Sequence, residues 1–264
     1  MTRNERQKLI LDYLTEHKAA TYADIECIVE VSNMTIRRDI DSLAEDGKVI
    51  KTIGGAQIAG ASPDIYESDV LTHLAEQAAE KKAIAAEAVE YIKQGEIIYL
   101  DGSSTCWELA KRIAEQKTNI TVVTNSMLVH MELAKGKDIS IINLGGQHDP
   151  VSYCMIGSHT EEQAQQYFIE KAFFSTKGFS PIAGTFESSV AGFRIKQVVA
   201  SKSSEVVLLV DHTKFGQKGL CKVLDISQIN TVFTDSGTKT RYIDMLKENG
   251  KNVIVSEVNE AFTI

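Results

Sequence analysis

The stretch VSNMTIRRDIDSLAEDGKVI, residues 31–50, constrains this chain more than any other. Ser32 stands where a helix N-cap is expected, its hydroxyl able to accept from the first free amides of the helix. Ile36, Ile40 and Leu43 follow at i, i+4 and i+7, a narrow apolar stripe that has to face a core. Met34 and Arg38 then point most directly away from that stripe, with Thr35 and Arg37 on either side. A short helix presenting Met, Thr and two Arg outward has the chemistry of a major-groove reader. The guanidinium fork suits guanine edges and phosphates, and Thr suits thymine or adenine. An ordinary surface helix with solvated arginines would show the same residues, so the flanking segments decide.

Upstream, a first helix is expected from about Asn4 to His17, with Ile10, Tyr13 and Leu14 inward. A second opens at Thr21, where Asp24 three places on completes a capping-box pattern, and Ile25, Ile28 and Val29 give it a core face. The link through Glu30 and Val31 is brief, as a helix-turn-helix requires. After Gly47 the run KVIKTIGGAQIA reads as two short strands about Gly54-Gly55, a hairpin. Three helices and a hairpin make a winged helix spanning residues 3–59. The candidate DNA contacts are Thr21, Ser32, Asn33, Met34, Thr35, Arg37 and Arg38 on the helices, and Lys48, Lys51 and Thr52 in the wing.

The overall charge runs against this, because the chain carries −8 and its first 60 residues hold eight Lys/Arg against ten Asp/Glu. Only the face that meets the duplex has to be positive, and Arg37, Arg38, Lys48 and Lys51 cluster within fifteen positions. The balance predicts weak non-specific binding and a dependence on dimerisation.

The run TIRRDIDSLAEDGKVIKTIGGA closely resembles the N-terminal signature of the DeoR family of bacterial transcriptional regulators, VSxxTIRRDLxxLxxxGxIxRxHGGA. It departs from that pattern at Ile40 for Leu, Lys51 for Arg and Ile53 for His. The first change concerns packing, and the last bears on one backbone contact of the wing.

Residues 60–75 lack periodicity, contain Pro63, and are expected to be a linker. From residue 76 to 264 helical and strand patterns alternate, which implies an α/β domain with a mainly parallel sheet. Strands are expected at EIIYLD, ITVVTN, DISIINLGG, KAFFS, EVVLLVD, TVFTD and NVIVS. Ligands of such sheets sit beyond the carboxyl ends of the strands. The residues there are Asp101, Gly102, Ser103, Ser104 and Thr105; Thr124, Asn125 and Ser126; Gly145 and Gly146; Lys177 and Gly178; and Asp211 and Lys214. Hydroxyls and free helix amides suit a phosphate, the two lysines could neutralise it, and Asp101, Asn125 or Asp211 could hold sugar hydroxyls. Each loop alone could be an ordinary turn. Five at one sheet edge argue for an anion site.

The segments LDGSST, TVVTNS, NLGG, the IGS at 156–158 and LVDHTKFG also resemble the DeoR family's C-terminal sensor. That resemblance implies a fold similar to ribose-5-phosphate isomerase and CoA-transferase domains, and a phosphorylated sugar or sugar alcohol as effector. Family members often carry Glu four residues before the lysine aligned with Lys196, where Gly192 stands here.

Other chemistries find less support. No apolar stretch is long enough to span a bilayer and the N-terminus has no signal-peptide core, so a cytoplasmic protein without membrane contact is expected. Cys27, Cys106, Cys154 and Cys221 form no CxxC pair. Asp211-His212 and His148-Asp149 are neighbours that point to opposite faces, and His17, His73, His130 and His159 read as surface or packing residues, so neither metal nor cofactor is expected. Asp101 or Asp211 could serve as the base of a sugar-phosphate isomerase, the alternative reading, but a fused DNA-binding unit makes a non-catalytic repressor of carbohydrate genes the expected function. Its partners would be operator DNA, the phosphorylated effector and a second copy of itself.

Overall fold

The computed structural model describes residues 2–17, 19–29, 31–52, 55–58, 70–188 and 192–259, which fall into two units, within 1–66 and 67–264. The first unit runs α1 (Arg3–His17), β1 (Ala19–Thr21), α2 (Tyr22–Val29), α3 (Asn33–Glu45), β2 (Val49–Thr52) and β3 (Gly55–Ile58). The α3 stripe is buried as its spacing requires, Ile36, Ile40 and Leu43 packing with Ile10, Leu14, Ile25, Val29 and Val49. Asp39 is buried beside them, a charge the stripe alone does not reveal. It tolerates that position because Arg6 meets both its oxygens, at 2.5 Å through Nε and 3.1 Å through Nη2. Gly47 then takes φ +68°, a left-handed turn that glycine adopts at little cost, and the Lys48 amide closes the helix on the Leu43 carbonyl at 2.8 Å.

The expected hairpin is present: β2 and β3 pair antiparallel with Thr52 opposite Gly55. A third strand, β1, joins the far edge of β3 and ends at Thr21, and helix two begins at Tyr22, directly after the expected cap position. Ser32 does occupy the N-cap of α3, but its hydroxyl caps no amide. It lies 3.1 Å from the Thr35 hydroxyl, while the Ser32 carbonyl accepts from the Thr35 and Ile36 amides.

The second unit begins with α4 (Val70–Ala75), so the last six residues of the expected linker are helical; residues 60–69 lie outside the described residues. It continues through α5 (Ala78–Glu90), β4 (Ile97–Leu100), α6 (Ser104–Gln116), β5 (Ile120–Thr124), α7 (Met127–Leu133), β6 (Ile139–Asn143), β7 (Gln147–Asp149), β8 (Cys154–Ile156) and α8 (Ser158–Ala164). Then follow β9 (Ile169–Phe174), β10 (Gly178–Ser180), β11 (Gly184–Glu187), α9 (Phe193–Lys202), β12 (Ser203–Leu209), β13 (Cys221–Lys222), β14 (Thr231–Asp235), α10 (Thr240–Glu248) and β15 (Asn252–Ser256).

Among the described residues the main sheet has seven strands, all parallel, in the order β15-β14-β12-β9-β4-β5-β6. Its central strands are continuous apolar runs because both faces are covered. Ile98, Leu100 and Val207 pack under α5, α6 and α7, while Tyr99, Phe174 and Leu208 pack under α8, α9 and α10. Outside it stand a hairpin of β7 and β8 and a small antiparallel sheet of β10, β11 and β13, neither of which the sequence patterns announce. The sheet grows in one direction from β4 through β5 and β6, and in the other from β9 through β12, β14 and β15. Because β4 and β9 are neighbours, their carboxyl ends open a crevice at the switch point, where parallel sheets hold ligands.

Candidate functional site

Two surfaces carry chemistry. On the first unit, α3 presents Met34, 66% exposed, beside the exposed Arg38, whose Nη2 reaches the Met34 sulfur at 3.9 Å. Arg37 is held differently. Its Nε donates to Asn33 Oδ1 at 2.8 Å and its guanidinium lies 4.4 Å over the Tyr22 ring, so α2 and α3 together fix its plane. Asn33 thereby orients Arg37, and Thr35 is half-buried. In the wing, Lys51 pairs with Asp41 of α3 at 2.5 Å, which raises its pKa, and Lys48 lies 3.3 Å from Asp46. The side chains of Thr21 and Thr52, and residues Ile53 and Gly54, lie outside the described residues.

The second surface is a pocket at the switch point. From the expected set it brings together Asp101, Gly102, Ser103, Ser104, Thr105, Asn125, Lys177 and Lys214. The other expected residues do structural work nearby. Thr124 donates to the Leu100 carbonyl at 2.8 Å, and Ser126 caps α7 through the Val129 amide. Gly145 and Gly146 pack on α8; a side chain at Gly146 would meet Thr160 Oγ1 at 2.0 Å. Gly178 sits against the Gln217 backbone, and Asp211 caps the 3-10 turn 212–214 through the Thr213 amide at 3.0 Å.

Within the pocket, the polar groups expected to hold sugar hydroxyls are committed to the protein. Asn125 accepts from the buried Tyr99 hydroxyl at 2.7 Å and donates to the Met155 carbonyl at 2.9 Å. Asp101 accepts from the Ser103 and Ser175 amides, each at 3.0 Å, which joins the ends of β4 and β9. Its cationic partner is Lys196 of α9, 3.1 Å from Asp101 Oδ2, which also reaches Glu187 at 2.5 Å and the Ser175 carbonyl at 2.8 Å. Burial works against the charge of Lys196, but Glu187 and Asp101 override it and hold its pKa above the ordinary lysine range. For Asp101, burial pushes the pKa up; Lys196 and the Ser103 hydroxyl outweigh it, leaving the carboxyl below its usual value.

Across the pocket the charge is positive. Lys177 follows β9, Lys214 follows β12, and Lys81 comes from α5. Lys81 is 3% exposed and its burial lowers its pKa to about 8. Ser103 caps α6 by accepting from the Cys106 amide at 3.2 Å, so the first turn of that helix, with Ser104 and Thr105, lines the same cavity. Sequence reasoning missed Lys81, Lys196 and Glu187. It also read His73 as a surface or packing residue, whereas His73 of α4 lines the pocket. Only the family pattern around Gly192 drew notice to Lys196. Among the described residues no group of His, Cys, Asp and Glu could hold a metal ion.

Two families of domain match the chain: a DeoR-like helix-turn-helix domain over residues 6–61 and a DeoR C terminal sensor domain over residues 76–236. Among similar proteins, the HTH-type transcriptional regulator YulB of Bacillus subtilis is 31% identical, with 96% of each chain covered. The HTH-type transcriptional repressor GlcR of the same organism is 30% identical over 98% of this chain and 99% of its own. The L-fucose operon activator of Escherichia coli is 29% identical over 87% and 94%. A solved ribose 5-phosphate isomerase A from Neisseria gonorrhoeae is similar at 18% identity and a TM-score of 0.41, covering 55% of this chain and 56% of that one.

Proposed function

The chain belongs to the DeoR family of DNA-binding transcriptional regulators, and from that premise we propose that it represses carbohydrate uptake or catabolic genes under control of a phosphorylated sugar or sugar alcohol. As a regulator it is not an enzyme. The observation that carries the effector class is the cationic side of the switch-point pocket. Lys81, Lys177 and Lys214 face a cavity that also receives the first turn of α6, an arrangement that favours a dianionic group over a neutral sugar. Repression is supported by the relative named a repressor, and carbohydrate genes by the relative named an L-fucose operon activator.

On the DNA side, Met34 and Arg38 would read base edges, Arg37 would fix the register, and Lys48 and Lys51 would meet phosphates. The acidic balance makes one winged helix a weak binder. We therefore read the working form as a homo-oligomer that places two units on two half-sites. The test is to select operator fragments from random duplexes with the full chain, then titrate phosphorylated sugars and polyols beside their unphosphorylated counterparts. Release of DNA by a phosphorylated compound alone supports the reading; tightening by such a compound would contradict induction by release. Equal response to both forms would remove the anion from the mechanism.

A further inference from the structure

The pocket has a wall that is itself a small helix. α4 is six residues long, too short to persist on intrinsic propensity, so its position depends on what ties it down. The ties are polar. The Val70 amide donates to the Val151 carbonyl at 3.1 Å. Lys81 donates to the carbonyls of His73 and Glu76, at 2.5 and 2.6 Å, placing a cation where the last turn of a helix leaves acceptors unsatisfied. His73 Nδ1 lies 2.6 Å from Glu76 Oε2, and its Nε2 faces the Lys177 ammonium, so the ring donates on one side and accepts on the other. Two of the pocket's lysines, Lys81 and Lys177, thus hold α4.

The same lysines oppose one another. Lys214 adds to the unfavourable field at Lys81 and at His73, and Lys177 acts on His73 in the same sense. Glu76 and Asp211 offset part of that repulsion. Resting on the reading of the pocket as an anion site, we propose that α4 is a latch fastened by the ligand: a dianionic group between Lys81, Lys177 and Lys214 cancels their repulsion and locks α4 against the pocket. α4 is the first described element after residues 60–69, through which the chain continues from the DNA-binding unit. Occupancy therefore fixes the point from which that connection departs, and the ligand acts by its differential affinity for the fastened and unfastened states.

Hydrogen exchange on the full chain tests this, with inorganic phosphate as probe and chloride at matched ionic strength as control. Phosphate should slow the amides of residues 70–76 by about tenfold, the change expected when a local opening loses one hydrogen bond's worth of freedom, and should also protect residues 103–106. Protection of 103–106 with no change in 70–76 overturns the latch and leaves the anion site standing. No protection in either segment overturns the anion site and the latch with it. In a Glu76→Ala protein, whose His73 ring loses the carboxylate that orients it toward Lys177, residues 103–106 should still be protected and the slowing of 70–76 should be reduced; full slowing there overturns the latch.

Discussion

Lys196 Nζ lies 3.1 Å from Asp101 Oδ2, and through this contact α9 is fastened to the crevice between β4 and β9. Asp101 is buried and Lys196 half-buried, and Glu187, also buried, completes the cluster at 2.5 Å. Lys196→Met would leave two carboxylates buried without their cation. We expect a loss of about 3–5 kcal/mol from the larger unit, read as a lower thermal midpoint. The pH profile separates this from lost packing. Asp101 is depressed in the fold, so its contribution is complete above the unfolded carboxylate value of about 3.9 and is lost as pH falls through the folded value. Lys196 is raised, so its share is complete below about 10.4 and is lost only above that. The natural protein should hold its midpoint across neutral pH and fall in acid, and the variant should lose that acid dependence; an unchanged acid limb would refute the assignment.

On the first unit, Arg38→Ala should remove operator preference by about 1–3 kcal/mol per base contact while the fold persists. Asp41→Asn should act on Lys51 instead, freeing its ammonium and removing a negative charge on α3 beside the wing. All duplexes should then bind more tightly, with a salt slope steeper by about one. Binding to specific and random fragments across a salt series distinguishes the two outcomes.

Ser104→Asp should weaken a phosphorylated effector by roughly 100-fold or more, since placing like charges together costs several kcal/mol. Operator binding without effector should be unaltered. Calorimetry against the phosphorylated and unphosphorylated compound would read it, and retained affinity would show that the α6 turn does not face the anion.

Affinity for a phosphorylated ligand should fall as pH rises through about 8. Burial lowers Lys81 to that value against the pull of Asp211, Glu76 and Glu108, so its charge is lost there, while the ester, with a second pKa near ~6, stays dianionic. The empty sensor should behave oppositely. An unfolded lysine binds its proton up to about 10.4, so between the two values the unfolded chain holds more protons and stability rises with pH. Lys81→Arg keeps its charge and should flatten both trends.

Much of this was legible in the sequence, for physical reasons that differ by region. The α3 stripe and the runs VVLL and TVFTD show periodicities that packing enforces, and they fold as read. β1 has three residues, too few for a pattern, and β10, β11 and β13 are short pieces held by their partners. Asp101 lies at the sheet edge where chain order puts it, but chain order cannot show that Lys196 and the Ser175 amide claim its oxygens. Lys81 and His73 gave no signal at all. Lys81 stands beside Lys82 in the run EKKA, and only the docking of α4 makes one of them an interior residue.

Gly192 begins α9 at the rim of the pocket with φ −90° and ψ −12°, angles open to any residue, and nothing among the described residues comes within 4 Å of the place its side chain would occupy. A substitution there meets no backbone penalty and, among the described residues, no neighbour to displace. It is a vacant instrument position on a finished board: acid, base or amide could be mounted singly and compared, making this one codon the natural dial for retuning the sensor into a reporter for a different ligand.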